Sequence, residues 1–211
     1  MMPSSEMFDQ IAEQVYAQGY CILPKALPDE LAQALATEVR SLPQSSFSRA
    51  GIGRQEDHLM TEVIRRDEIH WIDNSTAAGS AWLNWTAQLQ QAMNRRLFLG
   101  LFSFESHYAH YSEGDFYKKH LDAFRGQQNR MLTVVTYLNP EWGDEDGGEL
   151  LIYPEQGENP LHKVKPAFGT LVIFLSEEFP HEVLPAHTDR YSIAGWYRIN
   201  SSDSQRIDPA E

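Results

Sequence analysis

The chain has 211 residues, 42% of them apolar or aromatic, which fits one domain, 1–211, with a sizeable core. Its net charge of −13 argues against a broad phosphate-binding surface, and so against nucleic acid as a partner. Cys21 is the one cysteine, which excludes an intrachain disulfide and a cysteine-based zinc site, and no apolar run approaches the roughly 20 residues of a membrane span.

The amino-terminal part, about 1–100, reads as mostly helical. Phe8, Ile11, Ala12 and Val15 recur at helical spacing after Ser4 or Ser5 as caps, and Gly19 is the stop signal. Tyr20-Cys21-Ile22-Leu23 is a short strand. Pro28-Asp29-Glu30 opens a second helix with Leu31, Leu35, Val39 and Leu42 on one face. The segment from Gln44 to Asp67 is polar, carries Gly51 and Gly53, and has no clean period; it reads as an irregular segment, either a mobile lid or binding loop or a solvated connector. Ile69-His70-Trp71-Ile72 is a strand leading out of it. A third helix covers about Ala77 to Leu99, with Trp82, Trp85, Leu89 and Met93 turned inward.

From about Phe104 the pattern becomes β-rich. Phe104 to Tyr111, Phe116 to His120, Met131 to Leu138, Glu149 to Tyr153, Lys163 to Lys165, Thr170 to Leu175, Glu182 to Leu184 and Tyr191 to Ile199 are short runs punctuated by Gly, Pro, Asn and Asp. Such spacing predicts a double-sheet jelly roll or barrel, giving a mainly β fold with flanking helices. The tail after Asn200 is polar and expected to fray.

Three residues carry metal-binding potential. His120 and Asp122 stand at i and i+2, which on a strand or at its end projects both side chains to one face. His181 comes far enough downstream for several strands to return it to the same place. Two imidazoles and a carboxylate suit a non-haem Fe(II) with open positions, and zinc is the chemical rival. Arg190, shortly after His181, can clamp the far carboxylate of a 2-oxo acid and would have no role at a zinc site. The other histidines carry weaker signals. His58 and His162 read as solvent-facing, and His107 and His110 as candidates to support the pocket from behind.

At these residues the sequence resembles the 2-oxoglutarate- and Fe(II)-dependent prolyl 4-hydroxylases, more narrowly the hypoxia-inducible-factor prolyl hydroxylases and their bacterial relatives. The pieces that carry it are Arg66-Asp67-Glu68-Ile69-His70-Trp71-Ile72, Tyr117-Lys118-Lys119-His120-Leu121-Asp122, Thr136-Tyr137-Leu138-Asn139, Gly147-Gly148-Glu149-Leu150, Pro180-His181-Glu182-Val183 and Arg190-Tyr191-Ser192-Ile193-Ala194-Gly195-Trp196-Tyr197. The resemblance implies a double-stranded β-helix core buttressed by amino-terminal helices. It implies Fe(II) on His120, Asp122 and His181, with 2-oxoglutarate and O₂ as cosubstrates and ascorbate as an accessory. Arg190 and Tyr137 then meet the far carboxylate of 2-oxoglutarate, and Tyr111 borders it near the iron. Tyr117, Arg130 and Trp196 match positions that line the substrate proline pocket. The 44–67 loop matches the family's substrate-covering loop in placement but not convincingly in residues, which puts the choice of target in doubt.

The expected activity is therefore hydroxylation of a prolyl residue in a cytosolic protein, coupled to decarboxylation of 2-oxoglutarate. Among the bacterial relatives the resemblance points to elongation factor Tu as a target. Its rivals are an oxygenase acting on a free amino acid, a lysyl side chain or an alkylated nucleobase, and a 2-oxoglutarate-sensing module without turnover. Nothing near Met1 resembles a signal peptide, so the expected setting is cytoplasmic.

Overall fold

The computed structural model describes residues 5–50, 64–123 and 129–200. In chain order these form α1 (Ser5–Gln18), β1 (Tyr20–Leu23), α2 (Asp29–Ser41), β2 (Ser48–Arg49), β3 (Glu68–Trp71), α3 (Ala77–Leu97), β4 (Leu101–Tyr111), β5 (Tyr117–His120), β6 (Arg130–Tyr137), β7 (Leu150–Ile152), β8 (His162–Val164), β9 (Leu171–Leu175), β10 (His181–Val183) and β11 (Arg190–Ile199). The strands pair as a seven-stranded sheet, β1-β9-β6-β11-β4-β3-β2, and a four-stranded sheet, β5-β10-β7-β8. This is the double-stranded β-helix arrangement, with helices against the larger sheet.

Period-two alternation divides the larger sheet between two cores. Leu132, Val134, Leu171, Ile173, Ile193 and Tyr197 join Trp82, Trp85, Leu89 and Met93 of α3 and the apolar faces of α1 and α2. Their strand neighbours Val135, Tyr137, Val172 and Phe174 pack instead with Leu150, Ile152, Val164 and Val183 of the smaller sheet. The larger sheet is thus buried on both sides. The site is built from polar residues that share its inner face.

The helices fall close to their expected places. Helix α1 ends at Gly19, whose φ of +81° is the left-handed stop conformation. The Thr76 side chain caps α3 by accepting from the Gly79 N–H at 2.9 Å. That helix ends at Leu97, short of Leu99, because Phe98 turns left-handed at φ +53°. Among the described residues no helix is long and apolar enough to cross a membrane.

The segment from Gln44 to Asp67 departs from the irregular expectation at both ends. Gln44–Ser46 is a 3₁₀ turn, and Ser48 and Arg49 pair with Ile69 and Glu68. At the other end Arg65 bridges Tyr117 of β5, and the Asp67 side chain is fully buried. Strand pairing at the sheet edge holds these ends, a long-range effect that a local search for periodicity misses. Gly51-Ile52-Gly53-Arg54 and His58 lie outside the described residues.

Candidate metal centre

His120 ends β5 and His181 begins β10, and the two are register partners in the smaller sheet. Asp122 follows the end of β5. One ligand atom from each of the three lies within 4.8 Å of the other two. Asp122 Oδ1 is 3.5 Å from His120 Nε2, and Oδ2 is 3.6 Å from His181 Nε2. Among the described residues no other group of three such side chains comes together this way.

Local hydrogen bonds set the ring tautomers. Nδ1 of His120 lies 2.7 Å from the Lys118 carbonyl, and Nδ1 of His181 lies 3.0 Å from the Phe179 carbonyl. A carbonyl only accepts, so each Nδ1 must carry the proton and each Nε2 is left bare. Burial pushes the His181 pKa down to about 4 against the pull of Asp122, which keeps that ring neutral at pH 7. Burial raises the Asp122 pKa, but the adjacent His181 and His120 more than offset this and hold it well below the carboxylate range. Two bare imidazole nitrogens and an ionised carboxylate fit a divalent transition metal.

Asp122 is also held from behind. Thr133 Oγ1 donates to Asp122 Oδ2 at 2.8 Å and lies 2.9 Å from Ser176 Oγ. Having spent its proton on the carboxylate, Thr133 accepts from Ser176. Trp196 lies close enough to favour the ionised carboxylate, yet its buried indole N–H makes no hydrogen bond of acceptable geometry.

The inner face of the larger sheet continues the site. On β11, Arg190 pairs with Tyr111 of β4, Ser192 with Tyr137 of β6 and Ala109 of β4, and Trp196 with Thr133 of β6 and Glu105 of β4. Arg190 is 1% exposed, and among the described residues no carboxylate pairs with it. Its Nε donates to the Gly148 carbonyl at 2.9 Å and its Nη1 to Ser192 Oγ at 3.1 Å. Its guanidinium carbon sits 4.8 Å from the Tyr111 ring centre and 5.2 Å from that of Tyr137. Gly148 makes this possible: its φ is +65°, and a Cβ there would meet Arg190 Cδ at 2.9 Å. The Tyr137 hydroxyl is buried with no hydrogen-bond partner among the described residues. Burial pushes its pKa up to about 12 against the opposing Arg190, so it remains a neutral donor. A buried unpaired guanidinium and a buried unpaired phenol together fit a carboxylate-bearing ligand.

The remaining sequence candidates border the same region. Tyr117 stacks on His120 with ring centres 3.6 Å apart. Arg130 lies 3.8 Å from the Trp196 ring centre and donates to Glu105 through Nε and Nη2 at 3.2 and 2.8 Å. Arg65 is a neighbour that residue-by-residue reading missed. It lies over the outer face of Tyr117 at 4.3 Å and forks onto Asp67 at 2.8 and 2.6 Å. The signal was an arginine two residues before a buried acid, in a segment read as polar loop.

The other histidines divide. His107 is buried against Trp196, with ring centres 5.5 Å apart, whereas His110 binds Asp189 at 2.9 Å and stacks on Tyr191. His162 is not solvent-facing as expected: it is half-buried and hydrogen-bonds with the Tyr20 hydroxyl at 2.7 Å, because β8 lies against the end of β1.

Residues 106–198 match the 2OG-Fe(II) oxygenase superfamily, whose members use Fe(II), 2-oxoglutarate and O₂. A prolyl-4-hydroxylase from Pseudomonas putida superposes with a TM-score of 0.82 at 39% identity, covering 92% of this chain and 100% of that one. A prolyl hydroxylase from Trichoplax adhaerens, solved with a hypoxia-inducible-factor oxygen degradation domain peptide fragment, superposes with a TM-score of 0.81 at 31% identity, covering 92% of this chain and 90% of that one. Egl nine homolog 1 of Homo sapiens is 29% identical over 188 residues, which is 85% of this chain but 43% of that protein. The chain spans about half the length of this and the equivalent rodent relatives.

Proposed function

The chain belongs to the 2-oxoglutarate- and Fe(II)-dependent prolyl 4-hydroxylase family, and we propose that it hydroxylates a prolyl residue of a protein substrate. His120 and His181, through Nε2, and Asp122, through its carboxylate, would hold Fe(II). When bound, the iron with 2-oxoglutarate and O₂ supplies the oxidation: 2-oxoglutarate leaves as succinate and CO₂, and one oxygen atom enters a prolyl C4–H bond.

The chain's own residues then position and enclose. Arg190 and Tyr137 take the far carboxylate of 2-oxoglutarate, which pairs the guanidinium and gives the phenol its acceptor. Gly148 and Ser192 fix the plane of the guanidinium, and Tyr111 walls the pocket beside it. Tyr117, Trp196 and Arg130 line the place for the prolyl ring. Arg65 and Asp67 brace Tyr117 from outside. Thr133 holds Asp122 in the ionised, accepting state. Aromatic walls here exclude water from the reacting centre.

Arg190 carries the reading, being a buried guanidinium without a carboxylate partner among the described residues, on the sheet face that also bears the residues around the metal ligands. The proposed setting is the cytosol, and elongation factor Tu is the candidate target. The test is to incubate the protein with Fe(II), 2-oxoglutarate and that candidate, alongside synthetic prolyl peptides. Mass spectrometry should find one added oxygen per hydroxylated proline, matched by equimolar succinate. Absence of proline-dependent succinate and of added oxygen on every prolyl substrate would overturn the prolyl reading.

A further inference from the structure

His107 is a third imidazole prepared like the two metal ligands, but it is not among them. It is 2% exposed, on β4, with its side chain on the inner face of the larger sheet. Its Nδ1 lies 3.1 Å from the Tyr108 carbonyl and so must donate. This leaves Nε2, on the far edge of the ring, as a bare acceptor. Among the described residues nothing donates to it. Nε2 is not among the fully enclosed unpartnered polar atoms of the described residues, so it borders accessible space, and an acceptor so placed calls for an explanation.

The surroundings of His107 supply one. Its ring lies 5.5 Å from Trp196 and stands at 86° to Trp71, 5.2 Å away. Its register partner on β11 is Ala194, a small and partly exposed residue. Arg130 covers Trp196, and Arg65, Asp67 and Arg130 all act electrostatically on the imidazole. His107 therefore sits among residues proposed to line and brace the prolyl pocket. Burial pushes its pKa down to about 4, which keeps the acceptor unprotonated at pH 7.

We infer that His107 is a specificity-determining residue whose Nε2 accepts a hydrogen bond from the bound polypeptide, at the backbone N–H that follows the target proline. Proline has no N–H of its own, and the amide of the next residue is the backbone donor nearest its ring. A site that ends in an unpaired acceptor discriminates against ligands that cannot donate to it. The inference rests on the prolyl-hydroxylase reading.

A chemical double-mutant cycle tests it. Acetylated pentapeptides with proline at the centre are screened for hydroxylation, and the best is remade with N-methylation of the amide after proline. Binding of both peptides to protein loaded with Mn(II) and 2-oxoglutarate, under argon, is followed by tryptophan fluorescence and calorimetry. In the wild type, N-methylation should weaken binding about tenfold, as loss of one buried hydrogen bond does. His107→Leu should bind the parent peptide about tenfold more weakly and should no longer distinguish it from the methylated one. His107→Gln, which keeps an acceptor, should still distinguish them. The cycle cancels the steric effect of the methyl group itself. Independent effects of substitution and methylation, or a His107→Gln protein that has lost the distinction, would overturn the inference. A wild type that hydroxylates no prolyl peptide would instead defeat the underlying reading, and this one with it.

Discussion

His120 and His181 are direct cross-strand partners in the antiparallel pair β5 and β10, with ring centres 4.3 Å apart. Two imidazoles placed opposite each other on adjacent strands share one side of the sheet. Asp122, two residues past His120, closes the triangle from the end of the same strand. Each ring is oriented by a backbone carbonyl two residues upstream that accepts from its Nδ1, and by an aromatic neighbour, Tyr117 against His120 and Phe174 against His181.

Asp122→Ala should weaken metal binding and abolish hydroxylation, because it removes the charged ligand from between the histidines. His120→Ala and His181→Ala should do the same. The subtler variant is Thr133→Val, which removes the donor to Asp122 Oδ2 and leaves the three ligands in place. Loss of such a supporting bond typically costs about 10–100-fold in metal affinity. Calorimetric titration with Mn(II) reads it, and wild-type affinity in Asp122→Ala would mean that the ligand assignment is wrong.

Arg190→Ala should spare metal binding and raise the apparent KM for 2-oxoglutarate strongly. Losing one member of a buried charge pair costs about 2–5 kcal/mol. Tyr137→Phe removes one hydrogen bond to a charged group and should cost less, roughly 1.5–3 kcal/mol. Titration of 2-oxoglutarate against both variants checks the order. A larger effect for Tyr137→Phe contradicts the clamp.

The clamp shows what was legible in the sequence. Alternation along Arg190-Tyr191-Ser192 is a local property, and it separates Arg190 and Ser192 from Tyr191, which joins the helix-side core. The spacing of His120 and Asp122 is equally local. Partners brought by strand pairing were not legible from the residues alone. Thr133 in β6 and Ser176 just past β9 are ordinary hydroxyls until the pairing of β6 with β9 sets them beside each other, and Arg65 became a wall of the site only through its bridge to Tyr117. His162 looked exposed because its contact, Tyr20, lies at the other end of the chain.

Arg130→Gln should affect the polypeptide and not the cosubstrate. It removes the cation from the Trp196 face and a donor pair from Glu105, which keeps its contact with Arg198 at 3.8 Å. Cation–π contacts of this kind contribute about 0.5–2 kcal/mol. The KM for a prolyl peptide should rise by roughly the corresponding factor, about 2- to 30-fold. The KM for 2-oxoglutarate should stay within error of the wild type, and a parallel rise in both would place Arg130 in the support of the whole site.

Acid should destabilise the metal-free protein through its buried neutral histidines. Burial lowers the pKa of His107 from 6.5 to about 4 in the folded state, opposed by Asp67 and assisted by Arg65 and Arg130. Between those two values the unfolded chain binds the proton and the folded chain does not, so stability falls as pH falls through this window. The contribution of His107 is fully present above about pH 6.5 and is lost by about pH 4; the shift corresponds to something on the order of 3 kcal/mol. His181 behaves with the same sign over the same range. Urea unfolding of chelator-treated protein between pH 7 and 4.5 measures the slope. His107→Leu should flatten it by roughly one proton, or about 1.4 kcal/mol per pH unit at its steepest. If the wild type and His107→Leu lose stability in parallel, His107 already takes up its proton in the folded state.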